Sequence, residues 1–220
     1  MEVIEEAARL PAAGESIYDA SGERQAVACV NFADPWVGYM EGYLRAGHKL
    51  VEHVVHTNRD QDFLVYPVVF AYRHHLELKL KYLIRTARQV VGEPGTFQRV
   101  HRLEPLWRVC RPLLGRVFAD ADAELGAAEA LILELDDLDP TGMVFRYPED
   151  QDGDPTLSPQ LRHLDLLTLA QRMEALANLL GGAKTGLDVA LENTLEAMYI
   201  RQEMEADLEA EISGWCPDAE

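Results

Sequence analysis

Apolar residues recur at three- and four-residue steps along most of this chain, the spacing of amphipathic helices. Trp36, Val37, Met40, Tyr43, Leu44, Leu50, Val51 and Val54 form the first such series. It is entered through Asp34–Pro35, a capping residue followed by proline at the first turn. After the polar break TNRDQD the pattern predicts a long helix over about 62–91, stopped by GEPG. HRLEPLWRVCRPLLGRVF predicts a shorter helix or two, with Pro112 as a kink or restart. An acidic amphipathic helix is expected over about 121–137. DLDPTGMVFRYPEDQDGDPTLSP is rich in Pro, Gly and Asp and reads as a loop, with MVFRY as one short extended segment.

HLDLLTLAQRMEALANLL predicts a further helix, ended by Gly181–Gly182. A last helix, over about 187–212, sets Leu187, Leu191, Leu195, Met198 and Leu208 on one stripe. There is no internal repeat and no series of alternating strands. The expectation is an all-α fold, an up-down helical bundle of five to seven helices. Residues 1–30 would form an N-terminal arm, 31–185 the bundle, and 186–220 an acidic C-terminal helix.

Charge narrows the functional classes. The 220 residues hold 38 acids against 20 Lys and Arg, a formal charge of −18. That field repels phosphate backbones, so broad nucleic-acid binding is disfavoured and RNA could be held only by a local basic patch. From residue 187 onward there are ten acids and a single base, Arg201. Such a helix, apolar on one side, suits docking to a basic protein partner; it equally suits a solvated outer helix. The cysteines at 29, 110 and 216 form no CxxC pair, which points to a reducing compartment. The acidic start MEVIEEAARLPAAGES lacks the basic flank and apolar core of a signal peptide, and no run approaches the roughly 20 apolar residues of a spanning helix. The expected location is cytoplasmic, with no membrane partner.

The unusual chemistry lies in YPVVFAYRHHLELKLKYLI, residues 66–84. At about 100° per residue, Arg73 and Glu77 fall inside the apolar stripe, about 40° apart. His75 and Lys79 fall on the opposite side, with His74, Lys81 and Arg85 on the flank. The pattern predicts a buried Arg73–Glu77 pair with the other charged side chains mostly solvated. Two charges buried one turn apart must pair, since an unpaired one costs several kcal/mol. The pair could be a structural bolt. It could instead line a pocket with a flanking histidine, the guanidinium holding an anionic group. Arg146, inside FRYP, is a natural further partner for Glu77, clamped onto the bundle by its aromatic neighbours.

These segments also carry a resemblance. WVGYMEGYLRAGHKLV, DFLVYPVVFAYRHHLELKLKYLI, HRLEPLW and the later DP…FRYPED resemble, in that order, a group of bacterial helical proteins related to the HEPN superfamily. The resemblance covers about half the chain. It implies a helical bundle, often dimeric, of a kind frequent in toxin–antitoxin and phage-defence systems. Many such domains are metal-independent RNases whose motif is Arg followed after four to six residues by His. No arginine here has a histidine at that spacing. A catalytic cluster would therefore have to assemble in space from Arg73, His74, Glu77, His101 and Arg146. In it a histidine would act as base or acid and an arginine would stabilise developing charge.

Two readings follow: a HEPN-like interaction module, expected to be a homodimer with a protein partner on its C-terminal helix, or a metal-independent RNase or nucleotide-processing enzyme. No cofactor or metal is expected. His53 and His56 have metal-compatible spacing, without a supporting HExxH or Cys ligand. DQDGDP places its glycine too early for a calcium loop, and GGAKTG lacks a glycine and the preceding strand of a phosphate loop.

Overall fold

The computed structural model describes residues 10–18, 22, 24–30, 34–118 and 121–214, with the side chains of 213 and 214 excepted. The chain divides into a short unit, residues 1–35, and a large one, residues 36–220. The described part of the short unit is turns and a single 3-10 turn, Arg24–Ala26. Cys29 lies in it, exposed; Cys216 falls outside the described residues.

The described residues of the large unit form five α-helices and no other regular element: α1 Pro35–Thr57, α2 Gln61–Val90, α3 Leu103–Val117, α4 Asp122–Leu138 and α5 Leu166–Gly214. No strand occurs among the described residues. MVFRY is a turn and not an extended segment, with the Arg146 and Tyr147 amides both donating to the Met143 carbonyl. α3 is a single helix that carries Pro112 in its interior. α2 closes as GEPG predicts: Gly92 takes a left-handed φ of 79°, and its amide donates to the Gln89 carbonyl.

α2 is the axis of the fold. α5 and α3 make its broadest contacts, α4 lies on α3, and α1 covers the remaining side. His48 of α1 binds the Tyr72 hydroxyl through Nδ1 and Glu174 of α5 through Nε2. Gly47 permits the approach of α1, because a Cβ there would lie 2.5 Å from the Tyr72 ring. From Val68 to Ala87 α2 is enclosed on most of its sides, and a helix so enclosed loses the polar face on which its angular pattern depends. His75 and Lys79, expected in solvent, are therefore buried, as is Lys81. His75 Nδ1 donates to the Met40 carbonyl of α1 at 2.8 Å.

Burial lowers the pKa of both His74 and His75 from the ordinary 6.5. The unfolded chain takes up these protons first on acidification, so their stabilising contribution is full above that value and declines as pH falls through it. Urea midpoints should drop between about pH 7.5 and about pH 5.5. His75→Asn, which keeps a donor for Met40 but does not titrate, should flatten that slope; an unchanged slope would remove His75 from the account.

The second departure is at the C-terminal end. The break expected at Gly181–Gly182 is absent, and α5 runs through it for 49 residues. Two helical glycines cost about 1 kcal/mol each. Leu180 and Leu187, both fully buried on either side, dock the helix to the core across that weak point. Gly186 serves packing, since a Cβ there would lie 2.8 Å from the Phe118 ring.

Candidate functional site

Arg73 projects from the middle of α2 and is 1% exposed. Each of its three nitrogens has a partner: Nε donates to the Asp139 carbonyl at 2.7 Å, Nη1 to Glu77 Oε2 at 3.1 Å and Nη2 to the His101 carbonyl at 2.7 Å. The Asp139 carboxylate adds a second negative charge 3.7 Å from Nε. A guanidinium has five N–H donors in a planar fork, and this one bridges α2 to the segments entering α3 and leaving α4.

Glu77 is buried and multiply held. Besides Arg73 it receives Lys81 Nζ at 2.6 Å and His101 Nδ1 at 3.0 Å, both on Oε1. Burial alone would raise its pKa; the hydrogen bonds and charges of Lys81 and His101 outweigh that and hold the carboxyl below its ordinary value. It is ionised at neutral pH and cannot serve as a general acid there. The His101 ring lies 73% exposed over this carboxylate, and donating through Nδ1 leaves Nε2 toward solvent.

Asp139 was missed in the sequence, and it organises the loop. It is fully buried, and its Oδ1 accepts the amides of Gly142 at 2.8 Å and Val144 at 3.2 Å. Gly142 is required twice over, by a φ of 76° and because a Cβ would lie 2.8 Å from Arg73 Nη1. An Asp three residues before a Gly is a turn signal, but nothing local says that it faces a buried arginine. Asp136 was missed as well. It is buried, accepts the Leu103 amide at 2.7 Å at the start of α3, and holds Arg102 at 2.8 Å.

Arg146 is not a partner of Glu77. Its guanidinium lies over the Phe70 ring at 5.1 Å and the Tyr147 ring at 5.3 Å, and Nη1 meets the Met143 sulfur. Phe70 also stacks on His74, which meets Tyr43 edge-on. The five candidates thus lie close together but in two layers. Arg73 and Glu77 are sealed with the backbone and ring of His101 over them, while His74 and Arg146 belong to a half-exposed aromatic rim.

The remaining motifs are engaged locally. His53 Nε2 binds Asp60 and His56 Nδ1 binds the Glu52 carbonyl. Among the described residues no group of His, Cys, Asp or Glu is arranged to hold a metal. Cys110 is fully buried, and burial pushes its thiol pKa upward, away from reactivity. No helix among the described residues is long and apolar enough to cross a membrane. Set against family models, curated proteins and solved structures, the chain gives no match in any of the three comparisons.

Proposed function

We propose that this protein is an interaction module that captures a basic partner along the C-terminal half of α5. The observation that carries this reading is the stretch 195–212, in which every residue is exposed although it continues a core helix. Leu195, Met198, Tyr199, Ile200, Met204, Leu208 and Ile212 present large apolar side chains to solvent. Six acids and only Arg201 accompany them. A helical extension with its side chains exposed has little stability of its own, and an apolar partner supplies it. Two copies of so acidic a segment repel one another, so the charge favours a basic occupant over a second copy. The homodimer expected from the HEPN resemblance would then use a different surface. That same resemblance is the ground for placing the module in a bacterial defence or toxin–antitoxin system.

The enzymatic alternative, RNA or nucleotide cleavage by Arg73 with His74 or His101, needs Arg73 to reach a substrate. Its three nitrogens are already committed inside the fold, which favours the bolt over the site.

A labelled 18-residue amphipathic peptide of Lys and Leu tests the proposal by fluorescence anisotropy, with a Glu/Leu peptide of the same pattern as control. The chain should bind the basic peptide, and a chain ending at Asn193 should lose that binding. Met204→Gln, Leu208→Gln and Ile212→Gln, which share one side of the helix, together leave the charge intact and should weaken it by about tenfold or more. Equal binding by the truncated chain, or by the triple variant, would reduce the effect to net charge and reject the docking face.

A further inference from the structure

Beside the sealed network lies a hollow of about 330 Å3, walled by Tyr66, Val144, Phe145, Tyr147, Pro148 and Leu157. Among the described residues Arg146 is the one charged side chain that lines it. A second hollow of about 370 Å3 shares Tyr66, Phe145 and Leu157 with the first, so the two adjoin along these apolar residues and together make a trough in the surface. Its far end carries Asp62 together with Arg162 and His163, a mixture of both signs. The single-signed end is therefore the Arg146 end.

Arg146 is held in a way that suits anion capture. The Phe70 and Tyr147 rings orient the guanidinium plane, and no carboxylate among the described residues forms an ion pair with it, although the chain holds 38 acids. Among the described residues its one hydrogen-bond acceptor is the Met143 sulfur at 3.5 Å, a weak one, which leaves most of the five donors for a ligand. The wall itself is braced. The Thr156 hydroxyl binds the carbonyls of Val144 and Tyr147, the Thr156 amide donates to the Pro148 carbonyl, and Asp139 ties the Val144 amide to the bundle. A preformed apolar cleft with one convergent cation is the general form of a small-molecule site.

We infer that this trough binds an amphiphilic anion, its carboxylate or phosphate head on Arg146 and its hydrocarbon or aromatic body along Tyr66, Phe145 and Leu157. The guanidinium fork accepts either head, by paired hydrogen bonds. The site is separate from the docking face on α5. Binding there would draw an anion to a protein of strongly negative charge, which requires a specific local contact and not the general field.

Decanoate, decyl phosphate and decanol, titrated by calorimetry into the full chain, distinguish head from body. At least one anion should bind with millimolar or tighter affinity, and decanol about tenfold or more weaker. Arg146→Gln should reduce that anion's affinity about tenfold while leaving decanol unchanged. Arg146→Lys should recover only part, because it keeps the charge and loses the planar fork. Preference between the two anions assigns the head group. The inference is overturned if neither anion binds up to about 10 mM. It is equally overturned if decanol binds as well as the anions, or if Arg146→Gln leaves the anion's affinity within about twofold. Arg146 is exposed, so its substitution leaves the fold intact and any loss reports on the site.

Discussion

Arg73→Ala should cost about 3–5 kcal/mol of folding free energy, a large part of the about 5–15 kcal/mol that a domain possesses. The substitution removes the cation facing two buried carboxylates, Glu77 and Asp139, and orphans the carbonyls of Asp139 and His101. The cost comes mainly from the groups left behind, not from a strong net attraction in the intact pair, because burying the ions already costs several kcal/mol. Urea denaturation followed by circular dichroism measures it. Should the alanine variant fail to fold, Arg73→Lys retains one charge without the three-way fork and should lose about 1–3 kcal/mol. Coupling of positions 73 and 77 in a double-mutant cycle should amount to about 0.5–3 kcal/mol. A loss below about 1 kcal/mol for Arg73→Ala would mean that the network is not the bolt described above.

Asp139→Ala is the second large effect, at about 3 kcal/mol. The side chain satisfies two loop amides, one of them in the buried turn at Gly142, while its charge faces Arg73. Its removal should loosen residues 139–148 before the bundle unfolds, so limited proteolysis should cut there first. Asp139→Asn keeps an oxygen for the two amides and should retain more stability, the difference reporting the charge on Arg73. Equal losses in the two variants would assign the whole effect to the turn. The two predictions share a partner, so their costs are not expected to add. Acid should weaken the same network: the contribution of the depressed Glu77 carboxyl is complete above its ordinary value of 4.5 and is lost as pH falls through its lower folded value.

The helices were legible because their apolar spacing is a local property. α2 and α4 fall within a residue of their expected bounds, and the pairing of Arg73 with Glu77 follows from one turn of helix and the cost of a bare buried charge. The errors share one origin. The pattern of a single helix shows which side is most apolar, and so places His75, Lys79 and Lys81 in solvent, but not that α1, α3 and α5 close around α2. The glycine pair signals a stop because propensity is local, while the burial of Leu180 and Leu187 holds α5 together across it. Charge alone matches Arg146 to Glu77, and in the fold the Phe70 and Tyr147 rings hold it instead.

By itself, then, the amino-acid order determined an all-α fold, a central helix with one obligatory ion pair, and an acidic terminal segment that still carries large apolar residues. Only the tertiary structure decided that this ion pair is a sealed junction of three segments, with Asp139 and the His101 carbonyl as its remote partners. It alone decided that the terminal segment runs on as a continuation of a core helix, and that Arg146 lines a hollow with most of its donors uncommitted. The division has a physical cause. Helix formation and the demand that a buried charge be paired act over a few residues, so sequence carries them. The identity of a partner 28 or 66 residues away depends on how whole helices pack, and local periodicity holds no record of that packing.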